Sequence, residues 1–463
     1  MARLILENLA LQISLVLFIL LHSSLSVASD STQEANALLK WAANLHNFKD
    51  SNISTWPLHP ENANNSSPRT SPCNWLGISC NVQGMVERLN LTNAGLNGML
   101  YEFSFSSFPD LTYIDLSINL LFGTIPLGIT QLSKLIYLDL SYNLLSGSIP
   151  PEIGLLTNLD TLHLAANHLN GSIPPEIGQL TSLTELALYV NNLDGHIPAS
   201  VGNMTKMLRL FLYDNQLSGS IPQQLGNLTN LVELHMDTNS LSGPIPITLS
   251  SLTNLTILHL YENKLSGPIP NELGNLKSIV DLELSQNILN GTIPASLGNL
   301  RELKFLYLSN NQLSGPIPAS LGNSSQLRHL HLRGNHLSGY IPASLSNLSY
   351  LTVLDLSGNQ FIGFLPSNGC KGQSLSFLNA SDNHLRGPIP ESLRNCTSLV
   401  YILLNSNQLE GNPFEDFVVN SKLQKDGSKS QQIFWSDLKH MEIEVTNRGH
   451  SDCRKQYNGH DTT

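Results

Sequence analysis

An asparagine returns every 24 residues from Asn119 to Asn407, through Asn143, Asn167, Asn191, Asn215, Asn239, Asn263, Asn287, Asn311, Asn335, Asn359 and Asn383, with no insertion in the count. No other feature constrains the chain as much, because units that are alike and equally spaced must fold alike and stack on one another. Around each asparagine the sequence is nearly the same. Leu135-Ile-Tyr-Leu-Asp-Leu-Ser-Tyr-Asn143-Leu-Leu-Ser-Gly-Ser-Ile-Pro150 is one example, reading L-x-x-L-x-L-x-x-N-x-L and then x-G-x-I-P.

The first half of this unit alternates apolar and polar residues, so as a short strand it sends its leucines one way and the intervening residues the other. One strand cannot bury its leucines alone. Identical coils stacked about 4.8 Å apart can, by hydrogen-bonding strand to strand in a parallel sheet. The asparagine side chain carries both an acceptor and donors, and so satisfies backbone groups buried by the turn that leaves the strand. Gly147 and Gly171 permit positive φ, while Pro150 and Pro174 fix φ and are expected to stop a helix from starting there. The isoleucine of G-x-I-P and the stretch Ile177 to Leu183 supply core from the opposite side. An earlier coil at Leu89-Asn-Leu-Thr-Asn93, offset by 26 residues, brings the expected ladder to fourteen asparagines. The pattern is that of a leucine-rich repeat, and the expected fold is an α/β solenoid of horseshoe or superhelical form. A parallel β-sheet would line the concave face, with short helices or 3₁₀ turns on the convex face.

The flanks divide the chain further. Residues 1–28 read as a secretory signal: Met1-Ala-Arg3, an apolar run from Leu9 to Leu21, and a cleavage site after Ala28. Residues 29–80 read as an N-terminal cap, in which Ala37, Leu38 and Trp41 cover the open end of the core. Residues 81–416 hold about fourteen repeats. Residues 417–463 read as a non-repeat, mostly disordered tail with one apolar knot at Ile433-Phe-Trp435, leaving Leu403, Leu404 and Leu409 at an exposed solenoid edge. No later stretch of about 20 apolar residues follows the leader. A formal net charge of -11 without a basic run argues against nucleic acid as partner.

Five cysteines are an odd number. Cys73 and Cys80 flank the first coil, where a disulfide would close the cap; Cys370 and Cys396 lie on neighbouring repeats and suit a second bridge, leaving Cys453. No C-x-x-C pair or histidine cluster makes them a metal site. Among the N-x-S/T sequons, those at Asn203, Asn227, Asn254, Asn323, Asn347 and Asn395 are expected to carry glycans on the convex side, leaving the sheet open. Asn90 and Asn379 project from strands and are poorer acceptors.

These features resemble the extracellular part of plant leucine-rich-repeat receptor-like kinases. The resemblance is carried by Glu34-Ala-Asn-Ala-Leu-Leu-Lys-Trp41, by Pro72-Cys-Asn-Trp-Leu-Gly-Ile-Ser-Cys80, and by L-x-G-x-I-P in nearly every repeat, and it is nearest to the MIK-like, peptide-sensing group. It covers residues 1 to about 417. The resemblance implies a non-catalytic, ligand-binding domain in signalling or defence, with an extended peptide or protein as ligand. It also implies a leucine-rich-repeat kinase as possible co-receptor, and an extracellular location, either free in the apoplast or on the outer face of the plasma membrane. No Gly-rich phosphate loop, H-R-D-x-x-x-x-N or D-F-G is present, so the chain as it stands is expected not to be an enzyme and to need no cofactor. It reads as a receptor cut short with a foreign tail, or else as a natural secreted form. The alternative functions are a secreted inhibitor of the polygalacturonase-inhibitor type and a soluble decoy or scaffold.

The repeats serve as their own reference for the ligand site. Outer repeats read L-D-L-S-x-N on the sheet face (Asp115 and Ser117, Asp139 and Ser141, Asp355 and Ser357), and central ones depart from it. The position between the two leucines holds His163, Ala187, Phe211, His235, His259, Glu283, Tyr307 and His331. The next exposed position holds Tyr189, Tyr213, Asp237, Tyr261, Ser285 and Arg333. Aromatic side chains on a rigid sheet offer contact area at low entropic cost, and carboxylates give direction. The binding residues are therefore expected to be Tyr189, Phe211, Tyr213, His235, Asp237, His259, Tyr261, Glu283, Tyr307 and Arg333. The acidic members Asp214, Glu233, Asp237, Glu262, Asp281 and Glu283 favour basic or hydroxyl-bearing peptides. Some members of the family hold a peptide carboxylate with an R-x-R pair, but Arg328 and Arg333 are not so spaced. His235 and His259 stand in one column about 5 Å apart. No third metal ligand beside them is obvious from sequence, and a pH response through these imidazoles is the stronger expectation.

Overall fold

The computed structural model describes residues 31–57, 71–367, 370 and 372–411, together with the backbone of 432–434. The leader, Cys453, Trp435 and most of the tail lie outside the described residues. Fourteen short strands, from Val86–Asn90 to Tyr401–Leu403, lie parallel in one sheet, each paired with the same segment of the next coil. Leu234 faces Leu258, which faces Leu282. Alternation holds along each strand: Leu234 and Met236 are fully buried, whereas Glu233 and His235 are half-buried on the sheet face.

The asparagine ladder works as the residue chemistry dictates. Nδ2 of Asn263 donates to the carbonyls of Met236 (3.0 Å), Leu260 (3.2 Å) and Tyr261 (3.2 Å), and its Oδ1 accepts the Leu241 N–H at 2.9 Å. The bond back to the preceding coil recurs at all thirteen asparagines from Asn119 to Asn407. The fourteenth expected rung is not one. Asn90 pairs with Asp115, an offset of 25, so buried Ala94 stands where the ladder side chain would be. Asn93 instead takes the left-handed turn (φ 50) that Ile118 takes one coil later (φ 57).

That left-handed residue precedes the ladder asparagine in coil after coil, even where it is Ile118, Tyr142 or Val190. Such a conformation costs roughly 1–2 kcal/mol for a residue with a Cβ. Each turn is held by bonds to the next coil, as in Tyr142 N–H to Ala165 O at 2.9 Å.

On the opposite side, 3₁₀ helices such as Pro151–Leu155 and Pro175–Gln179 stack coil upon coil. Against the expectation from sequence, the I-P prolines do not stop a helix from starting. Pro150 holds an extended φ of -66° and the helix begins at the next residue. Between the two sides the L-x-G segments form three further parallel sheets of 5, 4 and 5 strands, which the sequence reading did not anticipate. Their register advances by 22 residues (Gly147 with Leu169) against 24 in the long sheet, staggering the two sides of each coil.

Both ends are covered. The helix over residues 31–43 buries Leu38, Trp41 and Ala42 on the first coil; the Trp41 Nε1–H donates to Met99 O at 3.1 Å. The buried carboxylate of Glu34 accepts the Val86 N–H, at 3.1 and 3.0 Å from its two oxygens. Cys73 is bonded to Cys80 and Cys370 to Cys396, with Cα–Cα distances of 5.4 and 5.8 Å. At the other end the exposed edge expected from sequence is met by one more strand. Backbone segment Gln432–Phe434 pairs in parallel with Tyr401–Leu403, and Leu404 is buried. Among the described residues no helix is long and apolar enough to cross a membrane.

Candidate ligand-binding face

In the outer coils the sheet face satisfies itself. The N–H and Oγ–H of Ser117 donate to Asp115 Oδ1 at 3.0 and 2.7 Å, and Asp355 with Ser357 and Asn379 with Ser381 repeat the pair. Asn379 is therefore buried and engaged, which removes it as a glycan carrier. In the coils between Asp139 and Asp355 the Asp–Ser pairs are gone, and residues such as His163, Tyr189, Phe211, Tyr213, His235, His259 and Tyr261 stand in their place.

Five of the residues expected to bind form a continuous run. Tyr189 stacks on Tyr213 with centroids 4.6 Å apart; His235 lies 6.1 Å from Tyr213 and 4.5 Å from His259, and Tyr261 follows at 6.1 Å. Phe211 differs from expectation. It is only 5% exposed, packs with Ala165 and Ala187, and forms the floor on which Tyr189 and Tyr213 rest. Asp237 is buried beside the histidines. Further along, Tyr307 donates or accepts at His329 Nδ1 (3.0 Å) with His331 at 4.8 Å, while Arg333 is exposed. Asp214 and Glu262 do not share the strand face; both sit in the left-handed turns at its margin.

Sequence reasoning missed Glu185, Arg209, Phe305 and His329, which occupy the first position of their strands. Strand alternation, which puts i, i+2 and i+4 on one face, was the signal that would have found them. Arg209 bridges two of the coils, with Nη1 3.0 Å from Glu185 Oε2 and Nε 3.5 Å from Glu233 Oε1.

The charges are set by these neighbours. Burial opposes a charged His163, but Asp139 (3.2 Å) and Glu185 (3.0 Å) outweigh it and raise the imidazole to about 9. Burial drives Glu283 up to about 7, against a hydrogen bond from Ser285. His235 is pushed well down by burial and by His259. His259 is raised, because Asp281, Asp237 and Glu283 overcome its burial. The two histidines that the sequence treats alike are thus opposite in charge preference.

His163 gives a pH test. Its folded value lies above the ordinary 6.5, so its contribution is complete below about pH 6.5 and fades as pH rises through about 9. His163→Gln is expected to cost about 2 kcal/mol at pH 6 and under about 1 kcal/mol at pH 10. Urea unfolding at the two pH values measures this; equal costs would show that the ion pairs contribute nothing.

Of the expected glycan carriers, Asn203, Asn227, Asn323, Asn347 and Asn395 are exposed in one column away from the sheet face. Asn254 is exposed outside that column, and its amide donates to Thr229 O at 2.9 Å.

A capped stack of coils whose sheet face carries its variable side chains is a leucine-rich-repeat solenoid, and the chain matches four corresponding family descriptions, one of them leucine rich repeat over residues 254–276 and 374–396. The others are leucine-rich repeat region over residues 88–264, leucine rich repeat over 301–361, and leucine rich repeat N-terminal domain over 31–81. More narrowly, the chain is similar to the ectodomains of plant leucine-rich-repeat receptor-like kinases. MDIS1-interacting receptor like kinase 2 of Arabidopsis thaliana is 46% identical over 126 residues, which are 27% of this chain and 11% of that protein. The plant peptide hormone receptor RGFR1, solved in complex with RGF2, is 40% identical with a TM-score of 0.65, over 73% of this chain and 57% of that one. The Arabidopsis receptor kinase HAESA, in complex with the peptide hormone IDA and the co-receptor SERK1, is 29% identical with a TM-score of 0.55, over 81% and 74%. The matched stretch spans about a tenth of the length of the curated relatives.

Proposed function

We propose that this domain is an extracellular peptide sensor whose ligand lies extended across the central coils, from Tyr189 to Arg333. The carrying observation is the unbroken run Tyr189, Tyr213, His235, His259 and Tyr261 over a Phe211 floor, where outer coils have self-satisfied Asp–Ser pairs. Peptide complexes of RGFR1 and HAESA support the reading by likeness, and the SERK1 complex supports a shape-complementary co-receptor as a further partner. Glu185, Glu233, Asp281 and Glu283 along the strip favour a ligand rich in basic and hydroxyl groups. The secreted protein does no chemistry in this reading; it supplies a rigid surface.

The test uses a panel of synthetic extended peptides carrying Lys, Arg, Ser and Thr, with acidic peptides as controls. Basic members are expected to bind. Combined replacement His235→Ala, Asp237→Ala and Tyr261→Ala is expected to weaken the best of them at least roughly tenfold with thermal unfolding unchanged. Undiminished affinity in the triple variant, or a preference for the acidic controls, would remove the site.

A further inference from the structure

We infer that His235, Asp237 and His259 form a binding site for a divalent transition metal of the zinc class on the sheet face. One candidate ligand atom from each of the three residues lies within 4.8 Å of the other two. Strand alternation already puts Asp237 on the same face as His235; the distances that bring it within reach of both histidines come from the structure. His235 and His259 are register partners on adjacent parallel strands, so the backbone already holds them side by side.

A second observation points the same way. Nε2 of His235 is buried and makes no hydrogen bond; Glu233 Oε2 stands 3.8 Å away. A buried polar atom without a partner costs free energy unless something occupies its lone pair or its proton. His259 has the complementary feature. Its Nε2 lies 3.4 Å from Asp281 Oδ2, which is how a carboxylate orients an imidazole whose other nitrogen binds a metal, and it assigns ligation to Nδ1.

The donor set selects the ion. Two imidazoles and one carboxylate suit zinc and its neighbours, whereas calcium and magnesium require oxygen ligands. Ligands about 2.0–2.2 Å from a tetrahedral ion stand closer together than these atoms do, so the three side chains must draw inward by rotation on loading. Three protein ligands leave a fourth position for water or for a donor from a bound molecule. Asp281 and Glu283 add negative charge around it. The site rests on the side-chain geometry and stands whether or not a peptide binds.

The experiment titrates zinc chloride alone into the full secreted chain in metal-free buffer near pH 7, by calorimetry. A site with a dissociation constant on the order of ten micromolar or tighter is expected, and His235→Ala and His259→Ala should each weaken it at least roughly tenfold. Asp237→Asn should weaken it severalfold. The exposed histidines His168 and His336 provide controls, whose alanine variants should bind as the parent does. Circular dichroism checks that each variant keeps the parent fold, and cobalt absorption on the unaltered chain reports a tetrahedral nitrogen and oxygen environment without any substitution. No zinc site tighter than millimolar, a site unmoved by all three replacements, or a cobalt spectrum of the octahedral aquo ion would overturn the inference. Peptide binding measured with and without a chelator is read separately, so a failed metal site leaves the peptide proposal standing.

Discussion

Replacing Asn263 by leucine is expected to lower the unfolding free energy by about 3 kcal/mol, because one side chain serves four backbone groups at once. Its amide donates to Met236, Leu260 and Tyr261, and its carbonyl accepts the N–H of Leu241. Leucine has the size but none of the bonds, and the groups left unpaired on Met236, Leu260 and Leu241 belong to fully buried residues, where water replaces them poorly. Each coil touches only its neighbours, so the loss should appear as a lower midpoint or as a separate early transition in thermal unfolding. A variant that melts as the parent does would mean that the ladder is decorative.

Gly178→Ala should cost about as much for a different reason. A Cβ at Gly178 would stand 2.3 Å from the carbonyl oxygen of Ser200 and 2.7 Å from its carbon, both backbone atoms of the next coil that cannot swing away. The stacked 3₁₀ helices must part, and overpacking of this kind costs roughly 1–3 kcal/mol. Gly171→Ala is the contrasting variant. There φ is +70° but the nearest side-chain atom is 3.6 Å away, so only conformational strain of about 1 kcal/mol applies. Calorimetry should find Gly178→Ala the more damaging of the two. The reverse order would mean that the coils are not in close contact along this line.

The two glycines also mark how far residues can be read without coordinates. Gly171 lies in G-x-I-P, and its positive φ follows from a turn needed once per period. Gly178 lies in the stretch assigned to core, where nothing in the pattern tells a space-limited glycine from any other. The same division runs through the site. Tyr189, Tyr213, His235, His259 and Tyr261 were legible because the period aligns each coil with the next. Phe211 was aligned as readily, yet its burial depends on Ala187 and Ala165, one and two coils back, leaving room for it. Glu185, Arg209, Phe305 and His329 share the sheet face by alternation, and their side-chain contacts bring them into the site.

Asn93 shows the limit of counting. One irregular offset near the cap moved it from ladder to turn, and only hydrogen-bond register distinguishes the two. The opposite end shows the limit of composition, since a tail without repeat character contributes a strand at 432–434 because an unpaired edge offers backbone groups to any segment that reaches it.

The sequence by itself determined the stacking of like coils, the direction of the leucines, the asparagine ladder from Asn119 onward and the face that carries the variable side chains. All of these are consequences of a period that repeats local chemistry. Only the tertiary structure decided that burial and His259 press His235 toward its neutral form while the carboxylates near His259 favour its charged form, that Asp237 joins them, and that Phe211 lies underneath. Those outcomes depend on distances between side chains 24 residues apart, where a few ångströms separate burial from exposure and a hydrogen bond from an orphaned atom.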